Sequence, residues 1–178
     1  MATINLSWTP ANDANSTGQK VQRKSGAGLF ADIGSLLSAS ASTYSDTTAL
    51  DNVLYTYQIV NICAVGGPED SADVQAGKAV CPTIGETVEG RAVELVFPTL
   101  SGNAVYIGDI IIDGAIGTYS SGNSQLGQTI SFEGLYSTTY NYDYSVAVGT
   151  NIADCSGSVT TTPPPSCPSP TNLTAVVS

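Results

Sequence analysis

Short segments of alternating apolar and polar residues dominate the chain, and clusters of Gly, Asn, Asp and Ser separate them. This alternation is typical of antiparallel strands that bury one face. Only Leu29–Ala41 could form a helical turn or two, and its composition also suits a strand and loop. The pattern therefore predicts an all-β protein. The predicted strands are Ile4–Trp8, Gln19–Lys24, Tyr55–Ile59, Asp73–Val80, Ala92–Phe97, Tyr106–Asp113, Thr129–Phe132, Tyr140–Val148 and Ser156–Thr162.

The chain contains an internal repeat. A shift of 85 residues places Leu50 on Leu135, Tyr55 on Tyr140, Tyr57 on Tyr142 and Ile59 on Tyr144. The dipeptide Cys81-Pro82 has its counterpart one residue further along, at Cys167-Pro168. Because a repeat of this length indicates repeated structural units, we predict two β-sandwiches in tandem. The alternative is that composition alone produces two tyrosine-rich strands.

The repeat and the turn-rich segments divide the chain into four parts. We assign residues 1–82 to a first sandwich and 83–162 to a second. Residues 163–170 are rich in proline and form an extended linker of polyproline type. Residues 171–178 alternate again and predict one C-terminal strand.

Composition narrows the functional classes. The chain has 178 residues and a formal net charge of −10, with only five Lys and Arg, too few for a nucleic-acid surface. It has no His, which removes the commonest general base and metal ligand. No apolar run is long enough to span a bilayer, and residues 1–10 do not resemble a signal peptide.

The four cysteines favour an oxidising destination. Cys63 and Cys81 flank the last hairpin of the first part, and Cys155 and Cys167 flank the corresponding region of the second. We expect two disulfides that each close a short local loop and contribute about 2–4 kcal/mol apiece. The alternative is four thiols that are buried or free. Their spacings do not fit a zinc site, and we predict no metal and no cofactor.

The segment Ile4-Asn-Leu-Ser-Trp8-Thr-Pro10, then Val21-Gln-Arg-Lys24 and then the Tyr55 strand, resembles the fibronectin type III family. The match is specific over residues 1–82 and looser over 84–162. The resemblance implies immunoglobulin-like sandwiches. It also implies that Trp8, Tyr55, Tyr57 and Ile59 fill the core of the first sandwich.

A sandwich of this family begins with a strand A, but the first one here begins at strand B. The C-terminal segment Thr171–Ser178 looks like an isolated strand A. We therefore expect this strand to complete the first sandwich of a neighbouring copy, with Leu173, Ala175 and Val177 pointing into its core. Return of the strand within the chain and truncation of a longer array are the alternatives. A head-to-tail contact of this kind forms a ring or a filament.

These features predict a structural assembly subunit whose partners are copies of itself and other virion proteins. Two-module chains of this style resemble surface proteins of tailed bacteriophages, which implies a virion surface or an extracellular location. One alternative is a subunit of an extracellular pilus-like filament. Another is an adhesion module that binds a receptor or a cell-surface glycan through Tyr106, Tyr119 and Tyr136.

An enzyme is the least supported interpretation. Asp109 and Asp113 are predicted to share a strand face, and together with Glu133 they could act as paired carboxylates or calcium ligands. Nothing else in the sequence converges on these residues, so we predict no catalytic residues.

Overall fold

The computed structural model describes residues 1–11, 14–114, 118–120 and 124–166. These residues contain no helix, so none of the described segments could cross a membrane as a helix. They form fourteen strands, in agreement with the predicted all-β class. The strands are β1 (Ile4–Ser7), β2 (Ser16–Ser25), β3 (Ala31–Leu37), β4 (Thr43–Asp46), β5 (Tyr55–Cys63), β6 (Glu69–Asp70), β7 (Val74–Ala76), β8 (Gly85–Glu89), β9 (Ala92–Phe97), β10 (Val105–Ile112), β11 (Thr118–Ser120), β12 (Gln128–Glu133), β13 (Thr139–Val148) and β14 (Asn151–Thr160).

Seven strands lie in each half of the chain, and every pairing described is antiparallel. In the first half, β1 pairs with β4 in one sheet, while β3, β2 and β5 form the other, with β6 and β7 both on the far side of β5. In the second half, β12, β9 and β8 form one sheet, and β11, β10, β13 and β14 form the other. The order of strands therefore matches between the halves, except that β8 has no described counterpart beside β1.

Each half has its own apolar core. Apolar side chains of the two sheets meet between them, as expected when alternate residues of a strand point to opposite faces. The first core contains Ala2, Ile4, Val21, Ala49, Tyr55 and Tyr57. The second is larger and contains Ile84, Val93, Leu95, Phe97, Leu100, Ala104, Tyr106, Ile110, Ile112, Ile130, Tyr140, Tyr142, Tyr144, Val146, Val148, Cys155 and Val159.

The same turn geometry precedes β5 and β13. The amide of Leu50 donates to the hydroxyl of Tyr55 at 3.3 Å, and the amide of Leu135 donates to the hydroxyl of Tyr140 at 2.6 Å. Two residues after each leucine, Asn52 and Ser137 adopt positive φ angles of 64° and 51°. The bond and the unusual backbone recur at the spacing of the sequence repeat, so the repeat has a geometric basis.

The two halves meet through loops at one end of each. The amide of Asn103 donates to the carbonyl of Asn52 at 2.8 Å, and the side-chain amide of Asn151 donates to the carbonyl of Gly77 at 2.6 Å. Leu54 of the first half also packs against the core of the second. These contacts fix the start of β5 and the start of β14 at the junction.

One disulfide, between Cys81 and Cys155, joins the segment before β8 to β14. The expectation of two local disulfides, Cys63 with Cys81 and Cys155 with Cys167, is wrong, because β14 begins at Asn151 and brings Cys155 to within 5.8 Å of Cys81 between their Cα atoms. Cys63 is a free thiol. Cys167 lies outside the described residues. A disulfide is typical of proteins in oxidising compartments.

Several strand boundaries differ from the predicted ones. Leu29–Ala41 contains a strand, β3, rather than a helical turn. Asp73–Val80 is a strand only at Val74–Ala76, because the chain leaves the sheet there to enter the junction. The polar segment Gly85–Glu89 forms β8, which the alternation did not predict.

Candidate functional site: an open groove in the first half

The outer edge of β1 has no partner strand among the described residues. The amides of Ala2 and Trp8 donate to the loops that flank β4. Because successive backbone amides point to opposite sides of a strand, Thr3, Asn5 and Ser7 direct theirs toward the outer edge. These three residues are exposed. An edge of this kind is a template for another strand.

The second half shows how such an edge is closed. β8 pairs with β9 from Gly85, opposite Val96, to Glu89, opposite Ala92. Ile84, just before β8, is buried in the core. Polar contacts anchor the same segment, since Tyr142 donates to Glu86 at 2.6 Å and Tyr144 donates to the carbonyl of Pro82 at 2.9 Å.

The corresponding space in the first half is an open groove. Two cavities of about 260 and 340 Å³ lie between β1 and the hairpin formed by β5, β6 and β7. They share Trp8, Ile59 and Ser71, so they are adjacent. We call this space the groove and define it by Leu6, Trp8, Ile59, Ser71 and Val74. Val74 is 53% exposed, which leaves apolar surface in contact with solvent.

Trp8 forms one wall of the groove. Its indole nitrogen donates to Gln19 at 2.7 Å, and Gln19, almost fully buried, donates to the carbonyl of Ala39 at 2.7 Å. This polar pair fixes the orientation of the indole, and Trp8 lines both cavities. The role predicted for Trp8 was in the core. It packs against the core but is only partly buried, as is Ile59, whereas Tyr55 and Tyr57 are buried.

A charged network lies at the base of the first core. Asp46, 1% exposed, accepts bonds from Arg23 at 2.5 Å, from Tyr57 at 2.9 Å and from the Thr48 hydroxyl at 2.7 Å. Burial by itself raises the pKa of Asp46, but these bonds outweigh burial and hold the pKa below its ordinary value. Burial and the bond to Asp46 raise the pKa of Tyr57 well above that of an exposed tyrosine. Both carboxylate oxygens of Asp46 therefore have hydrogen-bond partners.

Cys63 lies at the far end of the groove. It ends β5 and lines the larger cavity together with Trp8, Ile59 and Ser71. The side-chain amide of Asn61 lies 3.8 Å from its sulfur. Cys63 is only partly buried, so this end of the groove is bordered by a free cysteine. The sequence analysis assigned Cys63 to a disulfide and did not place it in this groove.

The residues predicted to enter the groove are Leu173, Ala175 and Val177. They lie, with Cys167, outside the described residues, so their placement stays a prediction. The sequence indicates the groove only indirectly, because residues 1–82 contain no segment that corresponds to β8.

The tyrosines considered for glycan stacking do not form a common surface. Tyr106 is 1% exposed and donates to the carbonyl of Pro98 at 2.8 Å, so its ring belongs to the second core and the prediction of an exposed ring is wrong. Tyr119 is in β11, and its side chain is not described. Tyr136 is 39% exposed, with the guanidinium of Arg91 5.6 Å from its ring centre.

The candidate carboxylates are also dispersed. Glu133 forms an ion pair with Arg91 at 3.0 Å, and Asp113 follows the end of β10. Asp109 lines a shallow depression of about 320 Å³ with Asp143 and Asp154. The described residues contain no group of three or more His, Cys, Asp or Glu arranged to hold a metal ion.

Comparison with known proteins does not assign the chain to a family. No family model matches it, and no curated protein matches it. Among solved structures, the FN1–FN3 domains of chicken CNTN1 are similar, with a TM-score of 0.39 and 14% identity over 90% of this chain. The chain spans 62% of the length of that protein chain. The description of the fold therefore rests on the strand order and the two cores given above.

Proposed function

We propose that this protein is a structural, non-enzymatic assembly subunit built from two tandem fibronectin type III-like sandwiches. Residues 171–178 of one copy add a strand to the open edge of β1 in the next copy. Leu173, Ala175 and Val177 of that strand fill the groove. The observation that carries the proposal is a difference between the halves: β8 pairs with the edge of β9 in the second half, whereas no described strand pairs with the outer edge of β1 in the first.

Burial in the groove provides the driving force. Leu6, Trp8 and Ile59 are only partly buried, and Val74 is exposed, so an apolar strand would remove their surface from water. Two large aliphatic side chains and one alanine contribute roughly 4–7 kcal/mol at about 1.5–3 kcal/mol for each large residue. Backbone bonds to the outer edge of β1 add to this value.

The sequence repeat supports Thr171–Ser178 as the donor. Cys81-Pro82 precedes β8, which closes the second half, and Cys167-Pro168 precedes Thr171–Ser178 at nearly the same spacing. By this correspondence, Thr171–Ser178 takes the place beside β1 that β8 takes beside β9, and it runs antiparallel to β1.

Chain length favours a neighbouring copy as the acceptor. The junction holds the start of β5 and the start of β14, so Cys63 and Thr160 lie at the ends of their strands away from it. At about 3.3 Å per residue, β5 extends roughly 27 Å and β14 roughly 30 Å from the junction. Even if the two strands lay at a right angle to each other, their far ends would be about 40 Å apart. A fully extended chain from Thr162 to Thr171 spans at most about 32 Å. The strand therefore reaches the groove of another subunit more readily than its own.

This mode of contact produces head-to-tail chains that form rings or filaments. A virion surface or an extracellular assembly suits a disulfide-containing chain with a net charge of −10, which keeps unassembled subunits apart. A pilus-like filament would use the same contact.

Light scattering of the full-length protein and of a truncated protein that ends at Pro170 tests the proposal. We expect oligomers from the full-length protein and a monomer from the truncated one. A matched pair of substitutions adds a control: Leu173→Asp places a charge in the groove and should abolish assembly, whereas Thr174→Asp places the same charge on the opposite face and should not. A full-length protein that stays monomeric would overturn the proposal.

Trp8 provides a direct signal for the groove because it is the single tryptophan of the chain. A synthetic peptide of residues 167–178 added to the truncated protein should shift the emission of Trp8 to shorter wavelength, since the peptide removes water from the indole. The peptide with Leu173→Asp serves as the control. An emission spectrum that does not respond to the unmodified peptide would count against the groove as the acceptor.

A further inference from the structure

The core of the first half is small compared with that of the second. Its cluster consists of six buried residues, two of which are the alanines Ala2 and Ala49, whereas the cluster of the second half has seventeen. Burial of apolar surface is the main favourable contribution to folding, so the first half has much the weaker support of its own. The first half therefore needs a further source of stability, and the junction with the second half can supply it.

Asn52 connects the first half to the segment between the halves. It lies in the turn before β5 and has a φ of 64°. Its amide donates to the carbonyl of Lys78 at 2.9 Å, and its side-chain oxygen accepts a bond from the amide of Val80 at 3.0 Å. Lys78 and Val80 both lie between β7 and β8, so one residue holds the connecting segment at two points.

The same turn also contacts the second half directly. The carbonyl of Asn52 accepts the bond from the Asn103 amide described above, and the side-chain oxygen of Asn103 accepts a bond from the amide of Leu54 at 3.1 Å. The adjacent residues Val53 and Leu54 serve different cores, since Val53 packs against the first and Leu54 against the second. Separation of the halves would therefore break these bonds and expose Leu54 to water.

We propose that the turn around Asn52 is a conformational clamp, which couples the two halves so that the first sandwich unfolds together with the second. Separation would cost the bonds of Asn52 and Asn103 and return Leu54 and Ala79, which both pack against the second core, to water. Sandwiches joined only by a flexible segment would instead unfold independently. The clamp does not depend on strand exchange, because all of its contacts lie within one chain.

Thermal unfolding of the full-length protein, followed by two signals, tests the proposal. Trp8 is the single tryptophan and packs against the first core, so its emission reports the first half, whereas calorimetry reports the whole chain. We expect one calorimetric peak whose midpoint coincides with that of the Trp8 emission. Two peaks, with the Trp8 transition at the lower one, would overturn the proposal.

A matched pair of glycine substitutions tests the role of Asn52. Asn52→Gly retains a residue that tolerates positive φ but removes the side-chain oxygen that holds Val80. Ser137→Gly is the control, because Ser137 has a φ of 51° in the equivalent turn, is exposed, and precedes β13 at the end away from the junction. At equal protein concentration, Asn52→Gly should lower the Trp8 midpoint by about 4–8 °C relative to the main calorimetric peak, and Ser137→Gly should leave the two signals coincident.

Asn103→Ala approaches the clamp from the other side. Asn103 belongs to the second half, and its side chain is exposed apart from the bond to the Leu54 amide. The substitution should nevertheless lower the Trp8 midpoint more than the midpoint of the main calorimetric peak, because the effect passes through the junction. Signals that remain coincident in both Asn52→Gly and Asn103→Ala would overturn the assignment of the clamp to this turn.

Discussion

The hydroxyl of Tyr57 donates a hydrogen bond to the carboxylate of Asp46 at 2.9 Å, and both side chains are almost completely buried. Arg23 supplies the opposite charge from the edge of the core. A buried carboxylate is tolerated only when it is paired in this way, because desolvation of an unpaired charge costs several kcal/mol. The network therefore links β2, β4 and β5, and hence the two sheets of the first half.

Asp46→Asn should lower the free energy of unfolding of the first half by about 1–3 kcal/mol, since it weakens bonds to a charged group. The pKa of Asp46 is lower in the folded than in the unfolded protein, whose value is near 3.8. Its contribution is therefore present above that pH and is lost as the pH falls through the folded pKa. Urea unfolding between neutral and acidic pH should show that acidification lowers the free energy of unfolding less in the variant than in the wild-type protein.

Asp32→Asn is the matched control for this substitution. Asp32 accepts bonds from Lys20 and Gln22, which also lower its pKa, but it lies on the surface. Its replacement should have the smaller effect on stability. Equal effects of the two substitutions would contradict the structural importance of the buried network.

High pH should destabilise the protein through its buried tyrosines. Burial raises the pKa of Tyr106 to about 12, and burial also raises the pKa values of Tyr57, Tyr142 and Tyr144. Because these values exceed the ordinary value of 10.0, the stabilisation is present below pH 10 and is lost as the pH rises toward the folded pKa values. Ultraviolet absorbance should show fewer than nine tyrosines ionising near pH 10 while the protein is folded.

The same titration in denaturant provides the comparison, since all tyrosines are then exposed and should ionise together. Ionisation of every tyrosine near its ordinary pKa, with circular dichroism unchanged, would contradict the burial of these hydroxyls.

Gly102 should be essential at the junction between the halves. It has a φ of +65°, and a Cβ at this position would lie 2.3 Å from the carbonyl oxygen of Asn52. Gly90 has the same φ, but its Cβ would meet nothing within 4 Å. Gly90→Ala should therefore cost only the backbone strain, roughly 1–2 kcal/mol, and Gly102→Ala should cost more, because the Asn52 loop must move.

Urea unfolding of the two glycine variants measures this difference. An additional signal is the bond from the Asn103 amide to the Asn52 carbonyl, which should lose protection from hydrogen exchange only in Gly102→Ala. Equal destabilisation by the two substitutions would contradict the prediction, because it would show that the Asn52 loop moves without lowering the free energy of unfolding.

The disulfide should stabilise the second half. Replacement of both Cys81 and Cys155 by serine removes a link between residues 74 apart in sequence and should lower the free energy of unfolding by about 2–5 kcal/mol. Calorimetry with and without reductant measures the effect, which should vanish in the double variant. Cys63→Ser is the control and should leave the transition of the isolated subunit nearly unchanged, because Cys63 is a free thiol.

Alternation along the chain predicted the strands whose inner faces carry large apolar residues. Val93, Leu95 and Phe97 illustrate this, since all three are buried on one face of β9. The pattern did not predict β8, in which only Val88 is apolar and the exposed Glu86 accepts a hydrogen bond from Tyr142. A strand held mainly by backbone pairing and polar contacts has no hydrophobic period to detect.

The candidate site was only partly predictable. The sequence implied an open edge beside Trp8, but the exposed side of the indole depends on its bond to Gln19, a buried polar residue that no pattern indicates. The disulfide partner of Cys81 also could not be predicted from the sequence, because it depends on where β14 begins. A shift in that start by a few residues would present another side chain to Cys81.

The bond between Cys81 and Cys155 has a mechanical consequence. When the chain is pulled from both ends, force that enters the second half at Cys81 passes directly to Cys155 through the disulfide. The enclosed segment is therefore shielded from tension and cannot lengthen while the bond is intact. Since the bonded cysteines are 74 residues apart, the shielded contour length is roughly 270 Å at about 3.6 Å per residue. In a fibre of such subunits, extension would come from the first halves, the linkers and the end of β14 beyond Cys155, and the segment between the bonded cysteines would act as an inextensible link.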